Sequence, residues 1–409
     1  MELSVWKQSL DVWFDAHKQD MLTMVERVVN MDSFSHDAAD VNRLGEVITG
    51  WMAEAGFRTE MLPKRPAPAD EPWMASLGNV FTARTHPVEA GPGVALIGHM
   101  DTVFPAGTAA SRPFRLDRAA DRATGPGIVD MKSGLVVNMF VARALKELGL
   151  MDVPMTLTFS PDEELGSPST TPLLGEQLNG AHAVICTEPG YAGGGVSVER
   201  KGSGHLLLEI EGVSAHAGRC YADGASAILE LAHKVLAFNE HLDLANGTTV
   251  NTGLISGGAS ANSVAPNATA RVHLTFRTLE AGRRLVEAIR ADAARTWVPR
   301  TVSRLSGGIR LYPLTKTPQV MALFDLACKA GEAAGCPIRE VRSDGAAESG
   351  YCCSVLKLPA ICSMGPEGGG LHAVDEYMVP STLLPRAKMV ALTALQAARV
   401  FKASPKVAL

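Results

Sequence analysis

The chain has 409 residues, 46% of them hydrophobic and 20% charged, with a formal net charge of −5. That length exceeds the usual reach of one hydrophobic core and predicts two domains, and Lys and Arg scattered along the chain rather than clustered exclude a nucleic-acid surface. No apolar run reaches membrane-spanning length, the start MELSVWKQSLDVWFDAHKQD is charged where a signal peptide is apolar, and seven cysteines without a CxxC pair fit reduced thiols; a cytoplasmic location without membrane contact is expected.

Short apolar runs alternate with amphipathic segments, the pattern of an α/β sheet flanked by helices. GVALIG (93–98) predicts a buried strand, SGLVVNMFVARALKELG (133–149) a helix, and PMTLTFS (154–160) and AHAVICT (181–187) two further strands. From about 199 to 311 the texture changes. There GHLLLEIEGVSAHAG and ATARVHLTFRT alternate apolar with polar residues, as half-buried antiparallel strands do, and GASAILELAHKVLAFNEHL between them reads as an amphipathic helix. PQVMALFDLACKAGEAAG, PAICSMG and a last helix near 381–402 return to the first pattern, which predicts one domain inserted into another.

Ligands of open α/β sheets collect at the carboxyl ends of the strands. HMDTV places His99 and Asp101 after the first strand, SPDEELGS places Asp162, Glu163 and Glu164 after the next, and TEPG places Glu188 after AVIC. GPGIVDMKSG sets Asp130 before a helix, and GGGLHAVDEY sets His372 in a glycine-rich loop. Each group has an ordinary alternative: a histidine bonded locally, a helix cap at Asp130, a turn cap at Asp101, a solvated acidic face at DEE. Convergence changes the reading, because carboxylates gathered at one sheet edge repel one another unless cations neutralise them. Histidine nitrogens with carboxylate oxygens suit a zinc-type ion.

HMDTV, GPGIVDMKSG, SPDEELGS, TEPG, GVSAHAG and GGGLHAVDEY, in this order over nearly the whole chain, resemble the M20 family of di-zinc peptidases and amidohydrolases, especially its glutamate-carboxypeptidase-like branch. The resemblance implies an α/β fold: a zinc-peptidase-like mixed-sheet catalytic domain in two parts, 1–198 and 312–409, with an inserted α+β lid and dimerisation domain over 199–311. It implies two divalent ions per subunit, zinc with cobalt or manganese as alternatives, bridged by Asp130. His99 and Glu188 would complete one site, Glu164 and His372 the other. Asp101 would orient the metal-bound His99, and Glu163 would be the general base acting on a metal-bound hydroxide. His216 in SAHAG resembles the histidine that reaches into the partner subunit of a homodimer, and Asn262 and Arg277 match the segment that grips a substrate carboxylate.

The expected reaction is amide hydrolysis, with carboxypeptidase release of a C-terminal glutamate or similar residue first, and deacylation of an N-acyl amino acid as the alternative. The partner is then a small peptide or N-acyl amino acid. A non-catalytic binding protein on this fold is the reading from another class, and the six intact positions speak against it. No GxSxG, GxxxxGK[ST] or GxGxxG occurs, which argues against a serine hydrolase or a nucleotide-dependent enzyme. Two departures stand out: many relatives have DDKG where this chain has Asp130-Met131-Lys132, though a methionine there resembles the glutamate-carboxypeptidase-like branch, and RSDGAAES (342–349) matches the family's substrate loop only in part. Relatives often carry a cis peptide after the bridging aspartate.

Overall fold

In the computed structural model, which describes residues 2–69 and 71–409, the strand Val94–His99 is buried along its whole length at the middle of a six-stranded mixed sheet. Across the sheet the strands run Arg58–Leu62, Val80–Arg84, Met155–Ser160, Val94–His99, Ala183–Cys186 and Ala360–Ile361. The first three pair antiparallel and the remaining contacts are parallel. Continuous apolar runs form these central strands because both faces are covered. The helix Ser133–Glu147, twelve of whose residues are buried, packs against the long helix Pro380–Val400.

Chain order around Val94–His99 creates the crevice. The chain crosses from this strand to Met155–Ser160 on one side, then returns to Ala183–Cys186 on the other, so the connections part above His99. Such a switch point leaves room for ligands at the strands' carboxyl ends. A small sheet of Gly368–Gly369, Tyr377–Met378, Arg122–Thr124 and Arg115–Asp117 carries the 370–376 loop beside the turn at Asp130.

The chain divides into two units. One runs from the start of the described chain to Ala67, then Trp73–Arg200 and Leu314–Leu409; the other comprises Lys201–Pro313 with Pro68–Pro72. The second unit is a four-stranded antiparallel sheet in the order Thr249–Gly257, Asn267–Phe276, Gly202–Glu211, Val302–Leu311, with the helices Ala227–Asn239 and Leu279–Ala294 packed on it. Leu206, Leu208 and Ile210 alternate inward to meet Phe238, Leu274 and Ile289. A Lys234–Glu230 ion pair at 3.0 Å, with both side chains fully buried, lies in this unit.

Several expected elements are shorter than their sequence signals: PAICSMG supplies a strand of two residues only, Ala360–Ile361. The N-terminal helices Glu2–Ala16, Lys18–Val29 and Ala38–Glu54 have no counterpart in the sequence reading. All seven cysteines are free, and among the described residues no helix is long and apolar enough to cross a membrane.

Candidate metal centre and active site

Three buried parallel strands stop at one sheet edge, so the polar residues that follow them meet there. His99 ends its strand, Glu188 lies two residues beyond Cys186, and Glu163 and Glu164 occupy a 3-10 turn, Glu163–Leu165, just past Ser160. Asp130 comes from the turn Ile128–Lys132 at the head of the helix Ser133–Glu147, where its φ/ψ of −112°/91° leaves the helical region and the Asp130–Met131 peptide is cis. His372 arrives on the 370–376 loop with φ +62°, and its side chain is half exposed.

Two ligand groups result: His99, Asp130 and Glu188, and Asp130, Glu164 and His372, with one ligand atom of each residue within 4.8 Å of the others in its group. Asp130 serves both. Its Oδ1 is 3.2 Å from His99 Nε2 and its Oδ2 is 3.4 Å from His372 Nε2. Glu188 Oε1 lies 3.5 Å from His99 Nε2, and Glu164 Oε2 lies 3.1 Å from His372 Nε2.

Electrostatics tests whether these residues fit divalent ions. Burial and then the Asp130 charge push the Glu188 carboxyl up to about 8; burial and then Glu188 push Glu163 well above the usual carboxylate range. Burial also opposes charge on Asp130, but hydrogen bonds from His372 and His99 outweigh it and lower that carboxyl. Four carboxylates and two imidazoles crowded in a low-dielectric crevice, with nitrogen and oxygen donors only, are what a pair of zinc-type cations would neutralise. The donor set fits.

Asp101 is fully buried beneath the site. One carboxylate oxygen accepts the backbone N–H of Glu163 at 3.1 Å, and the other accepts those of Glu164 at 3.2 Å and the Ser35 hydroxyl at 2.7 Å. The same residue therefore reaches His99 and the turn bearing both glutamates. Met131 is buried and its sulfur accepts the His99 backbone N–H at 3.1 Å.

Three further participants are not among the site residues that the sequence names. Arg200 Nη2 lies 4.0 Å from Glu188 Oε2 and donates to Ser363 Oγ at 3.0 Å, while Nη1 donates to the Ala346 carbonyl at 3.1 Å. Glu348 accepts from Ser160 Oγ at 2.6 Å and Ser167 Oγ at 2.9 Å, bracketing the Glu163–Glu164 segment. Glu376 accepts the backbone N–H groups of Gly127, Val129 and Asp130. Of these, Glu376 lies inside the motif HAVDEY, four residues after His372, and Glu348 lies inside RSDGAAES.

In the second unit, His216 is exposed, and its Nδ1 accepts the Gly218 N–H at 3.1 Å, so a neutral ring carries its proton on Nε2. Asn262 is its neighbour: the Asn262 carbonyl takes the Ala217 N–H at 3.0 Å and Ser263 bridges to His216. Arg277 is elsewhere. It follows Phe276 at the far end of the strand Asn267–Phe276 and packs on Gly247. The ten-residue strand Asn267–Phe276 lies between Asn262 and Arg277 in the chain.

Comparison with known proteins gives the geometry its context. The profile of Peptidase family M20/M25/M40 matches residues 95–396. Carboxypeptidase G2 of Pseudomonas sp. (strain RS-16) is 25% identical over 375 residues, covering 90% of this chain and 86% of the relative. Acetylornithine deacetylase of Edwardsiella ictaluri is 26% identical over 376 residues, covering 84% and 88%. A crystal structure of a dinuclear metal binding M20 peptidase from Bacillus subtilis shares the fold, with a TM-score of 0.65 at 14% identity over 95% of this chain and 99% of that one. With its family profile matched over most of its length and its sheet edge carrying two groups of potential metal ligands, the chain belongs to peptidase family M20/M25/M40, as an enzyme of the metallopeptidase and amidohydrolase class.

Proposed function

We propose that the protein is a di-metal amide hydrolase that releases a C-terminal glutamate or similar amino acid. The observation that carries this reading is the shared Asp130, one oxygen toward each ligand group, with the buried Glu163 carboxyl beside both. His99, Asp130 and Glu188 would hold one divalent ion, and Asp130, Glu164 and His372 the other, zinc being the first choice and cobalt or manganese alternatives. Such a pair, when bound, polarises the scissile carbonyl and makes a water acidic enough to lose its proton near neutral pH. Glu163 takes that proton and delivers it to the leaving amine nitrogen. Asp101 holds His99 and the Glu163 turn in register.

The second unit contributes recognition. The Nε2–H of His216 suits a developing oxyanion, and the planar guanidinium of Arg277 suits a carboxylate. His216 would act from one copy of the chain on the site of its partner in a homodimer. A homodimer accords with the edge strand Thr249–Gly257, which exposes Leu254 (65%) and Ile255 (67%), and with exposed Ile228, Leu229 and Leu236 on the helix packed against that sheet.

Similarity to acetylornithine deacetylase supports a second reading, removal of an acyl group from an N-acyl amino acid by the same chemistry. Metal content per subunit, measured alongside hydrolysis of N-acylglutamates, other N-acyl amino acids and dipeptides, tests both. Two metals with glutamate release is the expected result. Two metals with another preferred substrate moves the specificity, and no metal with no turnover after reconstitution with zinc, cobalt and manganese overturns the enzyme reading.

A further inference from the structure

We infer that Glu376 is a positioning residue for the metal centre: its carboxylate clasps the turn that carries Asp130 to the loop that carries His372. The assignment rests on the proposed metal-binding role of those two residues. Glu376 Oε2 accepts the Gly127 N–H at 2.8 Å, and Oε1 accepts those of Val129 at 2.9 Å and Asp130 at 3.0 Å. Gly127 has φ +68°, and Asp130 and Met131 depart from helical φ/ψ, so successive N–H groups converge instead of pairing along a helix. Main-chain N–H groups arranged this way form a cradle for an anion, and here the anion is supplied by the chain itself from about 250 residues further on.

The other end of the clasp is the His372 loop. The Glu376 backbone N–H reaches the Ala373 carbonyl, the Ala373 N–H reaches that of Gly370, and Tyr377 pairs with both Gly369 and Thr124. Glu376 is itself only 1% exposed. His372 has the most exposed side chain of the candidate ligands and a left-handed backbone, so its position is set by the loop rather than by burial. One carboxylate thus fixes the separation between the bridging ligand and the ligand least held by packing. Metal ligands depend on such supporting contacts, whose loss typically costs 10- to 100-fold in metal affinity.

A glutamine at 376 keeps the shape but turns one acceptor into a donor facing a backbone N–H, while an aspartate keeps the charge and falls one methylene short. The test is competition between a chromogenic chelator and the full-length protein for Zn(II), with bound zinc counted after gel filtration, for the parent, Glu376→Gln, Glu376→Asp and Glu230→Gln. Glu230 is a comparison in the second unit: it too is buried and accepts two backbone N–H groups, from Trp297 and Val298, and these belong to no candidate ligand. The expected result is that both Glu376 variants weaken the more loosely held zinc about 10- to 100-fold in their folded fractions, whereas Glu230→Gln alters thermal stability and leaves zinc affinity unchanged. A parent that binds two zinc ions with Glu376 variants of equal affinity would overturn the assignment alone, leaving the metal reading intact. A parent that binds no zinc would overturn both. If Glu376→Gln fails to fold, Glu376→Asp carries the same comparison.

Discussion

His99 Nδ1 lies 3.0 Å from the Asp101 main-chain oxygen and 3.3 Å from its carboxylate Oδ1, so one histidine N–H is shared by two acceptors of the same residue. The opposite nitrogen, Nε2, is left to face Asp130 and Glu188. Asp101→Asn replaces one acceptor with an NH2 group that would confront either the Glu163 N–H or the Glu164 N–H and Ser35 hydroxyl. We expect metal affinity to fall about 10- to 100-fold while the fold is kept. Zinc titration against a competing chelator checks this, and unchanged affinity would remove Asp101 from the role.

Glu163 and Glu164 are adjacent in the chain yet separate in duty. Glu164 approaches His372, whereas Glu163 is the more buried and has no hydrogen-bonded histidine. Glu163→Gln should retain two metals per subunit and lose turnover by about 10²- to 10⁴-fold or more. Metal analysis and steady-state rates on the same preparation decide the matter, since a near-normal rate excludes Glu163 as the base.

The buried ion pair in the second unit makes a prediction about stability. Lys234 Nζ is 3.0 Å from Glu230 and also donates to the carbonyls of Ala293 and Arg295, each at 2.6 Å. Lys234→Met leaves the Glu230 charge buried and two carbonyls unpaired, a change expected to cost about 3–5 kcal/mol. Replacing both partners should recover part of it. Denaturant titration followed by Trp fluorescence is well placed to read this, because Lys234 Nζ lies 4.9 Å from the Trp297 ring centroid.

What the sequence made legible followed from chemistry that leaves periodic or clustered traces. The buried strands ending at His99, Ser160 and Cys186 show as apolar runs, and Leu206, Leu208 and Ile210 show as alternation. The edge strand Arg58–Leu62 was missed because RTEML has no such trace, and Val80–Arg84 because its buried Arg84 reads as a surface residue while its guanidinium is bonded to Thr156 and Gln177. Glu376 was passed over for another reason: its partners are main-chain N–H groups, which are the same in every sequence.

His205 and His273 stand directly opposite on neighbouring strands of the second unit, their ring centroids 5.0 Å apart. Desolvation, then repulsion from His273, Arg310 and Arg271, pushes the His205 imidazole down to about 4, and desolvation lowers His273 as well. An unfolded histidine titrates near 6.5. Between about 6.5 and 4 the unfolded chain therefore binds more protons at this position than the folded one, so stability is complete above 6.5 and declines as pH falls toward 4. Thr suits an exposed strand position, so His205→Thr should flatten the acid limb of the melting temperature between pH 7 and 4 relative to the parent, with little difference at pH 7 or above. Melting curves that fall in parallel through that window would show that the histidine pair does not set this part of the acid response.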